Sequence, residues 1–530
     1  MAASIRSLFY RSFKVRGISL TNELPGPPSQ SWFKGNHEQL FGLKDGWEFH
    51  KTLAEQYGPA VQIKGFLGSN QFYTFDLKAM HYILVKEASS FSTLLRLETS
   101  NLLFGNGLIP THGEQHRKQR KMLNPVFSIA HMRMMMPIFY DVTDQLEMAL
   151  LQRVQSEPKE IDILGWMART ALELIGRSGF GYSFDNFIDN APTHRYSIVI
   201  KELFPSLAGL SFADSYILPL GLKLLPTNIR TFIMNLTPWK TLHDVRDMIN
   251  YMHKLSVEIY QEKKCALEEG DGAVASLLSI LIKENMKADN EDKLEEEELI
   301  AQMSTFIFAA TDTTSNGLSR ILHLLAKNQE IQERMRREIT EARKQCQDSR
   351  LSYDELVALP YLDAVCRETL RLYPPAPILL RRCTEDIVIP LSRPVRGKNG
   401  NNVTQIFLPK GTRTVISVLN TNRSAELWGP DVLEWKPERW LSPLPGSITE
   451  APVPGIYANL MTFGGGSRSC IGFKFSQLEM KVVISMLIEH FEFSLPSDKG
   501  ILWQMATVVS PIVEGSHGNS EMPLMMRSAR

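Results

Sequence analysis

The stretch "MTFGGGSRSCIGFKFSQLEM", residues 461–480, governs how the rest of the chain is read. Phe463 is followed by Gly464, Gly465 and Gly466, which permit a tight turn or a close backbone approach to something flat. Cys470 then precedes a segment whose Leu478, Val482 and Leu487 suit the buried face of a helix. A sulfur at a helix N-terminus meets the positive end of the macrodipole and unsatisfied backbone N–H groups, and both favour thiolate. A thiolate held by a rigid loop can be a nucleophile or a metal ligand, whereas an ordinary free cysteine is a small buried hydrophobe.

Composition narrows the setting. Among 530 residues, 58 basic and 58 acidic side chains cancel, so no overall field recommends nucleic acid as a partner. The cysteines are Cys265, Cys346, Cys366, Cys383 and Cys470, an odd number without a C-x-x-C pair. This argues against a disulfide framework and a zinc ribbon, and for a reducing compartment.

Residues 1–20 carry Arg6, Arg11, Lys14 and Arg16 with no acid, and Ile5, Leu8, Phe9 and Phe13 fall at helical spacing. The segment reads as a monotopic membrane anchor or an organellar transit peptide, with a frayed tail as the plain alternative. "LPGPPS" at 24–29 suits a stiff spacer, so residues 1–30 are expected to precede one folded unit at 31–530. The charge run "KADNEDKLEEEE" at 287–298 reads as a solvated loop leading into a helix.

Patterning predicts early strands at 60–64 and 71–75, then a mostly helical body. Helices are expected at 112–124, 131–155, 159–178, 194–206, 239–268, 297–326, 329–347, 361–373 and 473–490, with extended segments near 386–390, 405–416 and 505–513. The apolar segment 203–226 is broken by three prolines, Asp214 and Lys223, and reads as a loop-rich lid or membrane-facing surface.

"FGGGSRSCIG", Phe463 to Gly472, resembles the haem-binding loop F-x-x-G-x-R-x-C-x-G of the cytochrome P-450 superfamily at every fixed position, through Phe463, Gly466, Arg468, Cys470 and Gly472. The resemblance implies Cys470 as the axial thiolate to haem b iron, Arg468 as a propionate partner and Phe463 as a ring beside the sulfur. Thiolate ligation pushes electron density onto iron and favours O–O cleavage, a reason to need cysteine.

Other motifs follow in the family's order. "YLDAVCRETLRLYPP" holds Glu368 and Arg371 at i,i+3 spacing, by itself the pattern of an ordinary surface ion pair. "WKPERW" supplies Arg439, and the resemblance implies that these three form a buried network shaping the haem loop, where each charge needs a partner. In "AQMSTFIFAATDTTSNGLSRILHLLA", local propensity alone would end a helix at 311–316. Its "AATDTT" resembles the family's oxygen-activation motif, which implies a continuous helix with Asp312 and Thr313 relaying protons toward dioxygen. Ala310 stands where the family prefers glycine. "GEQHRKQRKMLNPVF" at 113–127 resembles the helix with a W-x-x-x-R pair, with His116 in the tryptophan position and Arg120 where a propionate-binding arginine is expected. Arg117, Lys118 and Lys121 suit either a solvated helix face or docking of an acidic electron-transfer protein.

The resemblance extends from residue 24 onward and implies a mainly α cytochrome P-450 fold with a small β-rich subdomain. It implies a haem-thiolate monooxygenase that inserts one atom of O2 into an organic substrate. No G-x-G-x-x-G in a strand-turn-helix setting and no flavin-binding extension is present, so the implied electron donor is a separate NADPH-cytochrome reductase, with cytochrome b5 as an optional further donor. The loops look like those of fungal microsomal members, which points to secondary metabolism or xenobiotic oxidation. Two alternatives stay open, an electron-independent isomerase of the same fold and a haem-binding carrier or sensor. The implied pocket is lined by the loop near 100–110, the lid at 203–226, Phe306, Ala310, Ile378, Leu379, Thr507 and Val508. Its apolar character favours a terpenoid, fatty acyl chain or polycyclic aromatic. The family's usual place is the cytosolic face of the endoplasmic reticulum membrane, with mitochondrial import as the alternative.

Overall fold

Val61 and Ile63 alternate with Gln62 in β1 (Ala60–Lys64), which pairs antiparallel with β2 (Asn70–Thr74). The computed structural model describes residues 23–43, 45–93, 104–155, 157–188, 194–210, 213, 226, 236–269, 276–346, 350–516 and 520–529. β1 and β2 join β3 (Phe91–Thr93) and two strands from much later in the chain, β5 (Ile378–Cys383) and β8 (Arg413–Ser417), in the order β1-β2-β8-β5-β3. Strand alternation along β5 splits its side chains between two clusters. Ile378 and Leu380 pack with Leu40, Phe49, Tyr73 and Val415, whereas Leu379 turns to the opposite face with Met461 and Ile416.

Most of the chain is helical: α1 (Gly113–Leu123), α2 (Ile129–Val154), α3 (Ile163–Leu174), α4 (Arg195–Gly209), α5 (Lys240–Glu268), α6 (Leu277–Lys287), α7 (Glu296–Lys327), α8 (Gln329–Gln345), α9 (Pro360–Leu372) and α10 (Phe473–His490). The largest apolar cluster joins α2, α3, α7, α9 and α10. α7 starts at a capping box between Glu295 and Glu298. It then runs through the polar stretch 311–316 without a break, and those side chains bond back onto the helix's own carbonyls. Thr311 Oγ1 donates to Ile307 O at 2.8 Å, Thr313 Oγ1 to Ala309 O at 2.6 Å and Asn316 Nδ2 to Asp312 O at 2.7 Å.

Three expectations change. The helix expected at 159–178 begins only at Ile163, since β4 (Lys159–Asp162) pairs with the C-terminal strand β14 (Pro523–Ser528) and Asp162 then caps the helix through Gly165 N. The stretch 203–209, read as the start of a loop-rich lid, belongs to α4, which packs along α5. α6 and the strand β5 had no expected element. Most of the remainder of 203–226, the loop residues 100–103 and the N-terminal 1–22 lie outside the described residues. Among the described residues no helix is long and apolar enough to cross a membrane.

Candidate active site

β10 (Leu460–Gly465) runs into one 3-10 turn, Gly466–Arg468, and Cys470 follows three residues ahead of the first residue of α10. Gly466 has φ 68°, and a Cβ there would lie 1.9 Å from the Leu84 carbonyl oxygen, so the turn can sit against the Tyr82–Lys86 segment only as glycine. Gly464 also has a positive φ, of 66°, and Leu379 Cδ1 is the nearest atom to a Cβ built on it, at 3.7 Å. The loop is closed by Cys470 N donating to Phe463 O at 2.8 Å. The Phe463 ring sits between Tyr457 and Phe473, with centroids 5.5 and 6.1 Å away.

Cys470 keeps accessible surface, yet protein surrounds it closely enough that burial pushes its thiol up; the Gly472 N–H and Arg120 pull the other way and are outweighed. The two properties are compatible when the sulfur opens onto an internal cavity. α7 carries the matching signature. It is buried from Glu298 to Phe308 and from Thr314 to Ala326, but Ala309 is exposed and Ala310, Asp312 and Thr313 are partly accessible. A gap in the middle of a buried helix marks a cavity wall within the body. Asp312 is enclosed there, and burial pushes its carboxyl up to about 7, against the opposing pull of Lys201 from α4.

Around the cysteine loop, cations gather. Arg120 Nη1 donates to Ser469 O at 2.6 Å, and Arg468 reaches across to the 108–112 segment, bonding Ile109 O at 3.3 Å, Thr111 O and His112 Nδ1 at 2.9 Å. Arg381, on the same β5 face as Leu379, is buried beside Arg468. Burial pushes Arg468 and Arg381 down to about 10, Arg468 with help from the other two arginines. His112 and His116 are held neutral by burial and these arginines, at about 4 and about 3. Among the described residues none of Arg120, Arg381 and Arg468 has an ion pair. Buried cations require anions, so this donor set fits a ligand bearing carboxylates. A haem, with two propionates and a flat ring for the glycine turn, meets that requirement. Arg381 and His112 were missed in the sequence reading; a period-2 reading of "ILLRRC" would have placed Arg381 on the Leu379 face.

A contrasting cluster lies behind the loop. Arg371 donates from Nε and Nη2 to the two oxygens of Glu368, both at 2.8 Å, and neither side chain is exposed. Glu368 also accepts from Trp440 Nε1 at 3.0 Å, Lys436 N at 3.1 Å and Arg439 Nε at 3.4 Å. Arg371 continues to Val432 O at 2.8 Å and Asn422 O at 3.2 Å. Asn422 in turn accepts from Met461 N at 2.8 Å and donates to Thr462 Oγ1 at 2.9 Å, tying the network to β10. Asn422 and Thr462 carry no motif that would have announced this role.

The remaining pocket candidates divide. Phe306 stacks edge-on against Phe127 at 5.4 Å. Thr507 and Val508 sit in the turn between β12 (Ile501–Gln504) and β13 (Ser510–Val513), held by Val509 N donating to Pro375 O at 2.9 Å. Leu379 faces the cysteine loop, whereas Ile378 points to the other side of the sheet.

The comparisons agree with this geometry. The family model "Cytochrome P450" matches residues 25–517. Cytochrome P450 monooxygenase 91 of Postia placenta is 48% identical, over 95% of this chain and 93% of that protein. Cytochrome P450 monooxygenase 81 of the same fungus is 45% identical over 99% and 96%. A ganoderic acid synthetase of Ganoderma lucidum is 43% identical over 99% and 97%. The chain belongs to the cytochrome P450 family. It is an oxidoreductase that uses haem iron and O2 and incorporates oxygen into its substrate.

Proposed function

We propose that this protein hydroxylates, or similarly oxidises, a hydrophobic molecule of fungal secondary metabolism. Cys470 would hold the haem iron as a thiolate, and electrons come from a separate NADPH-cytochrome reductase at the cytosolic face of the endoplasmic reticulum. The observation that carries the reading is the set of three arginines, Arg381 buried and Arg120 and Arg468 half-buried, without a carboxylate among them, beside a glycine turn that presents one cysteine. The relative named for ganoderic acid synthesis supports a substrate from secondary metabolism, and the apolar wall of Phe306, Ala310 and Leu379 supports a terpenoid, fatty acyl chain or polycyclic aromatic.

Haem iron bound through a thiolate supplies reductive activation of O2. The chain's own residues do the rest. Arg120, Arg381 and Arg468, with His112, would hold the propionates by charge-assisted hydrogen bonds. The Gly472 N–H and the closed loop would orient the Cys470 sulfur as a thiolate ligand. Asp312, with its carboxyl at about 7, can both hold and release a proton near neutral pH. Thr313, its hydroxyl bonded to Ala309 O, stands one residue away on the accessible stripe.

The test is the absorption difference spectrum of the reduced protein with and without carbon monoxide, in the wild type and in Cys470→Ser. A strongly red-shifted Soret band that vanishes in the variant is the expected result. A band at the position of neutral-ligand haem in the wild type would overturn the assignment of Cys470.

A further inference from the structure

Seven residues past Thr313, about 10 Å further along α7 and on the same helical stripe, lies a charge without a partner. Arg320 is 7% exposed, and its Nε is buried with no hydrogen-bond acceptor. It forms no ion pair among the described residues, and what surrounds it is aromatic. Its guanidinium carbon lies 3.5 Å from the centre of the Trp503 ring, 4.3 Å from that of Tyr373 and 5.9 Å from that of Trp47. A second guanidinium, Arg423, approaches the other side of the same box, 5.0 Å from the centre of Trp47 and 5.2 Å from that of Tyr373. Arg423 directs its Nε and Nη2 at the Leu372 carbonyl oxygen and likewise has no ion pair among the described residues. His323, one turn beyond Arg320, adds no negative charge: its Nδ1 accepts from Trp503 Nε1 at 2.9 Å, and burial beside Arg320 pushes it down to about 3.

Aromatic faces attract a guanidinium but accept its N–H donors poorly. A buried positive charge with an unmade hydrogen bond, as at Arg320 Nε, is costly unless an acceptor arrives from outside the chain. The planar guanidinium matches a carboxylate in two-point contact. Sulfate or phosphate, with more charge and more hydration to replace, would need donors that the three rings do not supply.

We infer that Arg320 and Arg423, boxed by Trp47, Tyr373 and Trp503, form a binding site for a small monoanion, a carboxylate or a halide. Two sources share this chemistry. One is a free anion. The other is the carboxylate end of a substrate, because Trp503 leads into the turn that carries Thr507 and Val508; this second source rests on the pocket reading given above.

The experiment uses the haem-loaded full chain and follows its unfolding temperature during titration with sodium formate, ionic strength being held constant with sodium sulfate. The wild type should show a saturable rise that Arg320→Met lacks. An equal response in both proteins, or no saturable response in the wild type, overturns the site. Should Arg320→Met fail to fold, Arg320→Lys, which keeps the charge and loses the planar fork, should shift half-saturation about tenfold. Wild-type crystals soaked in bromide provide an independent check, with an anomalous peak against Arg320 expected and its absence overturning the inference. Competition assigns the source. Palmitate that displaces formate where methyl palmitate does not identifies a substrate carboxylate, and failure of both identifies a free anion. None of these readouts uses turnover, so the site can stand or fall independently of the monooxygenase reading.

Discussion

Two ionic clusters flank the cysteine loop, one buried and one half-buried, and they are built on opposite plans. In the Glu368–Arg371–Arg439 cluster, Glu368 accepts from both arginines, a tryptophan indole and a backbone N–H, and Arg371 also reaches two backbone carbonyls. The cluster is complete within the chain. In the Arg120–Arg381–Arg468 cluster the donors meet only backbone carbonyls, a serine hydroxyl, an asparagine and a neutral histidine, and the charge remains unbalanced. The difference separates a group of charges balanced within the chain from one left open to an anion, as the proposed haem site requires.

Breaking each cluster should therefore have different consequences. The largest effect is expected for Glu368→Ala, which leaves Arg371 buried and uncompensated. Removing one partner of a buried pair costs about 3–5 kcal/mol, so little soluble haem-bound protein should be recovered, and what is recovered should unfold at markedly lower urea. A variant of wild-type stability would show that the network is dispensable. Arg468→Met should behave in the opposite way. Without haem, removing one of three mutually repelling cations should leave the unfolding temperature equal or higher. With haem, loss of one charge-assisted contact worth about 1.5–3 kcal/mol should speed haem transfer to a scavenging apoprotein by roughly tenfold or more. Unchanged haem transfer would place the propionates elsewhere.

A third test probes the boundary between the clusters and the cavity. Asp312 has its carboxyl raised to about 7, so the fold favours its protonated form. That stabilisation is complete below the ordinary carboxylate range, near pH 4, and is lost as pH rises through about 7. Asp312→Asn cannot ionise. The unfolding temperature of the variant relative to wild type should thus climb between about pH 4 and 7 and level off above it. A flat difference would mean that Asp312 is not desolvated.

Much of the site was legible because its residues lie close together in sequence. The loop Phe463–Gly472 needs its glycines at fixed places for local reasons, a positive φ at Gly466 among them, and such reasons leave a pattern. The helix from Glu296 to Lys327 was harder, since "TDTTSN" reads locally as a cap and is kept helical by back-bonding side chains on a buried surface. The strand β4 was lost to a helix because its partner lies more than 350 residues away, at Pro523–Ser528.

By itself the sequence determined the class of chemistry. A cysteine, an arginine and glycines at set intervals match the family's haem-binding loop, and the acid–threonine pair matches its oxygen-activation motif; both are short-range patterns that survive in linear order. The tertiary structure alone decided which charges are balanced. Arg371 and Arg468 look alike in the chain, and so does Arg320. Helical spacing already sets Glu368 beside the first, but only packing brings Trp440 and the Val432 carbonyl to that pair, Arg120 and Arg381 to the second and three aromatic rings to the third. The energy of a buried charge depends on what stands within a few ångströms of it, and residues distant in sequence supply those neighbours.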